Sequence, residues 1–240
     1  TRTHHEQFVT THWSVVMAAA HGENVQAGEA LERLCETYWY PLYAFVRRLG
    51  HSSHDAEDVV QGFFAQCVEK NYLHSVDQAK GRFRSFLLMA LKRYLAKEYE
   101  KSRARKRGGG LTMIALDGLA AEQRYALEPA EQLSADKLYE RRWALTLLEQ
   151  VLSRLRAEQA AAGLLEAFEQ LKEFLQSGGR GTPYSELASR LGASEGSVKV
   201  AIHRLRRRYR ELLDEEIAHT VATAEEVAEE RRHLRKALSG

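Results

Sequence analysis

The stretch "TPYSELASRLGASEGSVKVAIHRLRRRYRELL", residues 182–213, leaves this chain little freedom of local fold. Thr182 is expected to cap a short helix, with Pro183 at its first position and Leu187 and Leu191 facing inward. Gly192 supplies a stop, and Ser194 caps a second helix. In that second helix Val198, Ile202, Leu205, Tyr209 and Leu212 step by three and four residues along one face. Two short helices joined by a glycine-containing turn of about three residues are a helix-turn-helix, the geometry that lets a second helix enter the DNA major groove.

The face opposite the apolar stripe points the same way. Lys199, His203, Arg204, Arg206, Arg207, Arg208 and Arg210 follow one another with no acidic residue among them. Each Lys or Arg that neutralises a phosphate releases counterions and strengthens binding at low salt. The formal net charge is only +2, so attraction to nucleic acid rests on this uneven distribution rather than on the total. A solvated arginine face is the other reading of the run by itself; the capped helix beside it argues for DNA. Lys199, Val200, His203 and Arg204 lie early on the exposed side, where base edges are reached, and Arg206, Arg207, Arg208 and Arg210 lie later, nearer the phosphates.

The rest of the chain reads as helix. Leu31, Leu34, Cys35, Tyr38, Leu42, Phe45, Val46 and Leu49 recur at helical spacing, with Pro41 marking a kink or a restart. Gly50 is a stop, and Ser52 with Asp55 forms a capping box before the stripe Val59, Val60, Phe63, Phe64 and Cys67. A further long helix carries Phe83, Phe86, Leu87, Ala90, Leu91, Tyr94, Leu95 and Tyr99. The triplet Gly108 to Gly110 marks a domain boundary, and helical periodicity returns after a connector. There are three prolines and no alternating β-branched run. The expected fold is all-α: two helical domains, 30–107 and 135–213, joined by a flexible linker over 108–134. An N-terminal extension (1–29) and an acidic helical tail (214–240) complete the plan.

A second basic cluster lies far from the first. Lys92, Arg93, Lys97, Lys101, Arg103, Arg105, Lys106 and Arg107 are interleaved with Tyr94 and Tyr99. Aromatics beside bases suit stacking on unpaired nucleobases together with phosphate contact. The plainer alternative puts the tyrosines in a core and the bases on a solvated helix end.

Taken in order, "DAEDVVQGFFAQCVEK", "GRFRSFLLMALKRYLAKEYEKSRARKR" and "YSELASRLGASEGSVKVAIHRLRRRYREL" resemble an extracytoplasmic-function (ECF) sigma factor of bacterial RNA polymerase, within the sigma-70 superfamily. The resemblance covers residues 30 to 107 and 135 to 213. It implies that the first domain is sigma region two and that Asp55, Glu57, Asp58, Val59, Gln61 and Phe64 bind the clamp of core polymerase. Complementing a helix N-terminus is the bland role for the three acids, and the two roles are compatible. It implies further that the loop 71–82 and the start of the next helix capture an extruded base of the promoter minus-ten element, with Tyr72, Arg82, Phe83, Arg84 and Ser85 as candidates and Lys92, Arg93 and Lys97 on the backbone. The helix-turn-helix (182–210) would be region four, reading the minus-thirty-five element through Ser197, Lys199, Val200, His203, Arg204, Arg207 and Arg208.

The sequence departs from the family pattern before the helix-turn-helix, where "LSRLRAEQAAAGLLEAFEQLKEFLQSGGRG" replaces a shorter opening, and at both ends. From Glu211 to Glu230 the chain is acidic without a Lys or Arg. That tail either folds back on the basic DNA-reading helix, or packs through Ile217, Val221, Ala224, Val227, Ala228 and Leu234. The implied partners are core RNA polymerase and promoter DNA, with an anti-sigma factor or other regulator in addition.

Cys35 and Cys67 lack CxxC spacing and read as buried free thiols, which points to the cytoplasm. No apolar run is long enough to cross a bilayer, and no signal-peptide core opens the chain. His4, His5 and His12, or His51 with His54 and Asp55, lack the companions of a metal site. Neither catalysis, a cofactor nor a metal is expected. The alternative function is a stand-alone helix-turn-helix regulator; a helical scaffold binding RNA is a third class.

Overall fold

The computed structural model describes residues 25–69, 82–104, 118–128, 133–176, 182–218, 221 and 223–239. Tyr72, the N-terminal histidines, the Cys35 side chain, the basic side chains 101–107 and the Gly108 to Gly110 triplet lie outside the described residues or side chains. Among the described residues every regular element is a helix: α1 Val25–Arg48, α2 Ser53–Glu69, α3 Phe83–Ala104, α4 Gly118–Ala126, α5 Ala135–Ala161, α6 Leu165–Leu171, α7 Glu173–Gln176, α8 Tyr184–Leu191, α9 Glu195–Ala218 and α10 Ala224–Ser239. None is long and apolar enough to cross a membrane.

The chain divides into two compact units, but not where composition changes. The first comprises 1–145 together with 217–240, and the second 146–216. Helix α5 passes from one to the other, because Leu138 and Trp143 are buried early along it and Val151 and Leu155 late, with no helix breaker between them. The acidic tail returns to the first unit.

That first unit is built around α1, which continues through Pro41 rather than restarting. Tyr38, Trp39, Tyr40, Leu42, Tyr43, Phe45 and Val46 are all buried, so most faces of its second half are in the core. Each ring of this size contributes about 1.5–3 kcal/mol through removal from water. Phe83 of α3 packs edge-on to Tyr38 at 5.3 Å between ring centres. The Ser52–Asp55 box forms as the spacing predicts: the Asp55 amide donates to Ser52 Oγ at 3.1 Å, and Ser52 Oγ donates to Asp55 Oδ2 at 2.7 Å. Part of the expected linker is structured instead. Helix α4 buries Ala121, and its Glu122 accepts two bonds from Arg47, at 2.9 and 2.6 Å, and one from the Tyr43 hydroxyl.

In the second unit Val151, Leu155, Phe168, Leu171, Phe174, Leu187, Val198, Ile202, Leu205 and Leu212 form one core. The long replacement segment before the helix-turn-helix supplies four of these ten, Leu155, Phe168, Leu171 and Phe174. Gly163 turns the chain at φ +72° between α5 and α6, leaving Leu164 half exposed.

Candidate nucleic-acid interface

Helices α8 and α9 meet through the three-residue turn Gly192 to Ser194. Gly192 adopts the left-handed conformation at φ +61°, and the Ala193 amide reaches back to the Ala188 carbonyl at 2.9 Å, ending α8 as the glycine predicts. Ser194 caps α9 by accepting from the Ser197 amide at 3.1 Å. The start of α8 differs from expectation: Pro183 itself is the N-cap residue, and no side chain caps the helix. Its missing N–H makes the position cheap, and its carbonyl accepts from Glu186 and Leu187.

Val198, Ile202 and Leu205 are buried, which turns Ser197, Lys199, Val200, His203, Arg204 and Arg207 to the outside. Tyr184, stacked on Phe174, lies 5.5 Å beneath the Lys199 ammonium and steadies it. Among the described residues, none pairs with Lys199, His203 or Arg204 through a hydrogen bond or an ion pair. Arg207 makes only an exposed i,i+4 pair with Glu211, a contact of small worth that a phosphate can replace.

The remaining arginines of the run are differently employed. Arg208 donates to both oxygens of Glu158 at 2.8 Å and also contacts Glu211 and Glu215. That pairing raises its already high pKa and lowers that of Glu158. Arg206 donates twice to the Phe174 carbonyl, at 3.1 and 2.9 Å, satisfying the end of α7. Arg210 folds onto the Arg206 carbonyl. The expected phosphate contacts at Arg206 and Arg208 therefore compete with structural bonds, and the unpaired basic side chains of the run narrow to Lys199, His203 and Arg204, within the first three turns of α9.

The first unit carries two further features. A cavity of about 210 Å³ between α2 and α3 is lined by Phe63, Gln66, Phe86, Met89, Arg93, Tyr94 and Lys97. It brings Arg93 and Lys97 beside aromatic rings, and burial pushes the Tyr94 phenol up to about 12. Lys92 instead pairs with Asp136 and lies over the Phe45 ring at 5.6 Å. Of the expected minus-ten residues, Ser85 is exposed and Arg82 half-buried, but Phe83 is fully buried and Arg84 only 2% exposed. Phe83 is part of the core, and Arg84 is enclosed by Glu140, Glu230 and Trp143, so neither is open to a DNA strand in this conformation.

The acidic surface lies elsewhere on the same unit. Asp55, Asp58 and Val59 join Leu49, His51, Leu95, Glu98 and Tyr99 around a groove of about 540 Å³. The Ser52 hydroxyl holds the Asp55 carboxyl below its usual range. His54 lies 3.7 Å from Asp58. Glu57 and Gln61 are half-buried outside the groove, and Phe64 is buried, packing on Phe63 rather than offering a surface. Leu49 and Tyr99, more than half exposed at the rim, were not singled out by sequence spacing as surface residues because each continues an apolar stripe.

No family model, no curated protein and no solved structure matches the chain.

Proposed function

We propose that the chain is a promoter-specificity sigma subunit, which binds core RNA polymerase in the cytoplasm and directs initiation at minus-ten and minus-thirty-five elements. The observation that carries this reading is the capped α8–α9 pair, with Lys199, His203 and Arg204 projecting unpaired from the start of its second helix. Side chains placed there reach base edges, while Arg207 exchanges Glu211 for a phosphate. The acid-rimmed apolar groove at Asp55 and Asp58 supports a docking role for the first unit, since it offers apolar area ringed by charge to a basic partner surface. On this reading the protein performs no chemistry of its own.

A stand-alone helix-turn-helix regulator is the second reading, favoured by the fact that the α8–α9 pair belongs to a unit with its own core. Run-off transcription with purified bacterial core polymerase separates the two. Protein-dependent initiation that disappears on Asp55→Lys with Asp58→Lys is the expected result. Tight binding to a symmetric duplex site, with neither initiation nor polymerase binding, would overturn the sigma reading.

A further inference from the structure

Charged side chains from three helices converge where α3 begins. Arg84 Nε donates to Glu230 Oε1 at 2.7 Å and Nη2 to Oε2 at 3.3 Å, while Nη1 meets Glu140 of α5. Arg82 Nε lies 2.6 Å from the same Glu230 Oε2, and Arg82 Nη2 lies 3.6 Å from Glu229. His233 closes the cluster against Glu140 at 2.8 Å. Glu230 is fully buried. An acidic helix has thus laid its carboxylates on the two guanidiniums at the start of α3.

We propose that α10 is an intramolecular substitute for nucleic acid: Glu229 and Glu230 occupy Arg82 and Arg84 in place of strand phosphates, holding that end of α3 closed until a DNA strand displaces the helix. The identity of the strand as promoter DNA rests on the sigma reading above. Carboxylate and phosphate present the same pair of acceptors to a guanidinium fork, so one can replace the other with little change in geometry. An enclosed ion pair gains little net stability, because its mutual attraction is offset by desolvation. Apolar anchoring is slight as well: within α10, among the described side chains, only Leu234 and Glu230 are buried. With Leu234 as its one fully buried apolar side chain among those described, and Val227, Ala237 and Leu238 only half-buried, the helix belongs to the low-stability end of a fold, where local opening occurs. When α10 lifts, Arg84 keeps Glu140 as a partner, so the uncovered end is not left with a bare buried charge.

The test uses the full chain and a fluorescein-labelled, random-sequence single-stranded oligonucleotide. Hydrogen exchange over 224–239 should accelerate when the strand binds, while exchange in α1 stays unchanged. Leu234→Asp, which detaches α10 without touching either arginine, should tighten strand binding about tenfold by raising the open fraction. A strand that binds without altering α10 exchange, a Leu234→Asp chain that binds no more tightly, or the absence of strand binding to either chain would overturn the proposal. Run-off transcription separates this from the parent reading. Initiation unaffected by Leu234→Asp removes the lock and leaves the sigma function standing; α10 release by the strand without any initiation does the reverse.

Discussion

Glu158 holds Arg208 by two parallel bonds of 2.8 Å, tying α5 to α9 beneath the proposed recognition face. Arg204, one turn earlier, has no such tether. Arg204→Ala should therefore weaken duplex binding and lower the slope of log affinity against log salt by about 1, with no loss of thermal stability. Arg208→Ala should instead destabilise the fold by about 0.5–1 kcal/mol, the range of a partly exposed ion pair, and leave the salt slope nearly unchanged. Filter binding across a salt series and urea unfolding of both variants check the contrast.

Acid should dismantle the same contacts. Arg208 lowers the Glu158 pKa, and Arg47 does the same to Glu122. A carboxylate whose folded pKa is depressed contributes stability above its unfolded pKa, near 4.3, and loses it as pH falls through the lower folded value. Urea midpoints should hold from neutral pH to about 5 and then fall. Glu158→Gln should flatten that decline, and an unchanged slope would assign the acid sensitivity to other groups.

Helices α2 and α3 approach closely at Gly62, where an added Cβ would lie 2.5 Å from the Tyr94 hydroxyl oxygen and 3.6 Å from the ring carbon that bears it. Gly62→Ala gains about 1 kcal/mol of helix propensity but meets an overpacking cost of about 1–3 kcal/mol. Tyr94→Phe removes the clashing oxygen. The double variant should thus be about 1 kcal/mol more stable than Tyr94→Phe alone, whereas Gly62→Ala in the parent chain gains nothing. Chemical denaturation of the four chains completes the cycle.

Gly192 has open space around its missing Cβ, so its requirement is conformational. At φ +61° an alanine costs about 1 kcal/mol and a β-branched residue more, while asparagine tolerates the left-handed region. Stability should rank Gly192, then Asn, then Ala, then Val in thermal unfolding.

Local chemistry made the helix-turn-helix readable before any tertiary structure. The Gly192 stop, the Ser194 cap and the Val198, Ile202, Leu205 stripe are all signals within one or two turns. The Ser52–Asp55 box was legible for the same reason. Residues 118–128 were not, because α4 is held by Arg47 and Tyr43, which lie far away in sequence. Nor could spacing divide the basic run of α9 into Lys199, His203 and Arg204 on one side and Arg206 and Arg208 on the other. That division depends on Phe174 and Glu158.

The amino-acid sequence by itself determined the all-helical class, the turn and caps of the α8–α9 pair and its buried stripe, since propensity, capping and periodicity act over a few residues. Tertiary structure alone decided which charges remain available. Arg84 reads as an exposed base beside a loop, yet it is enclosed because Glu230, 146 residues later, returns to it. A charge is free or neutralised according to what approaches within a few ångströms, and long-range packing sets that approach.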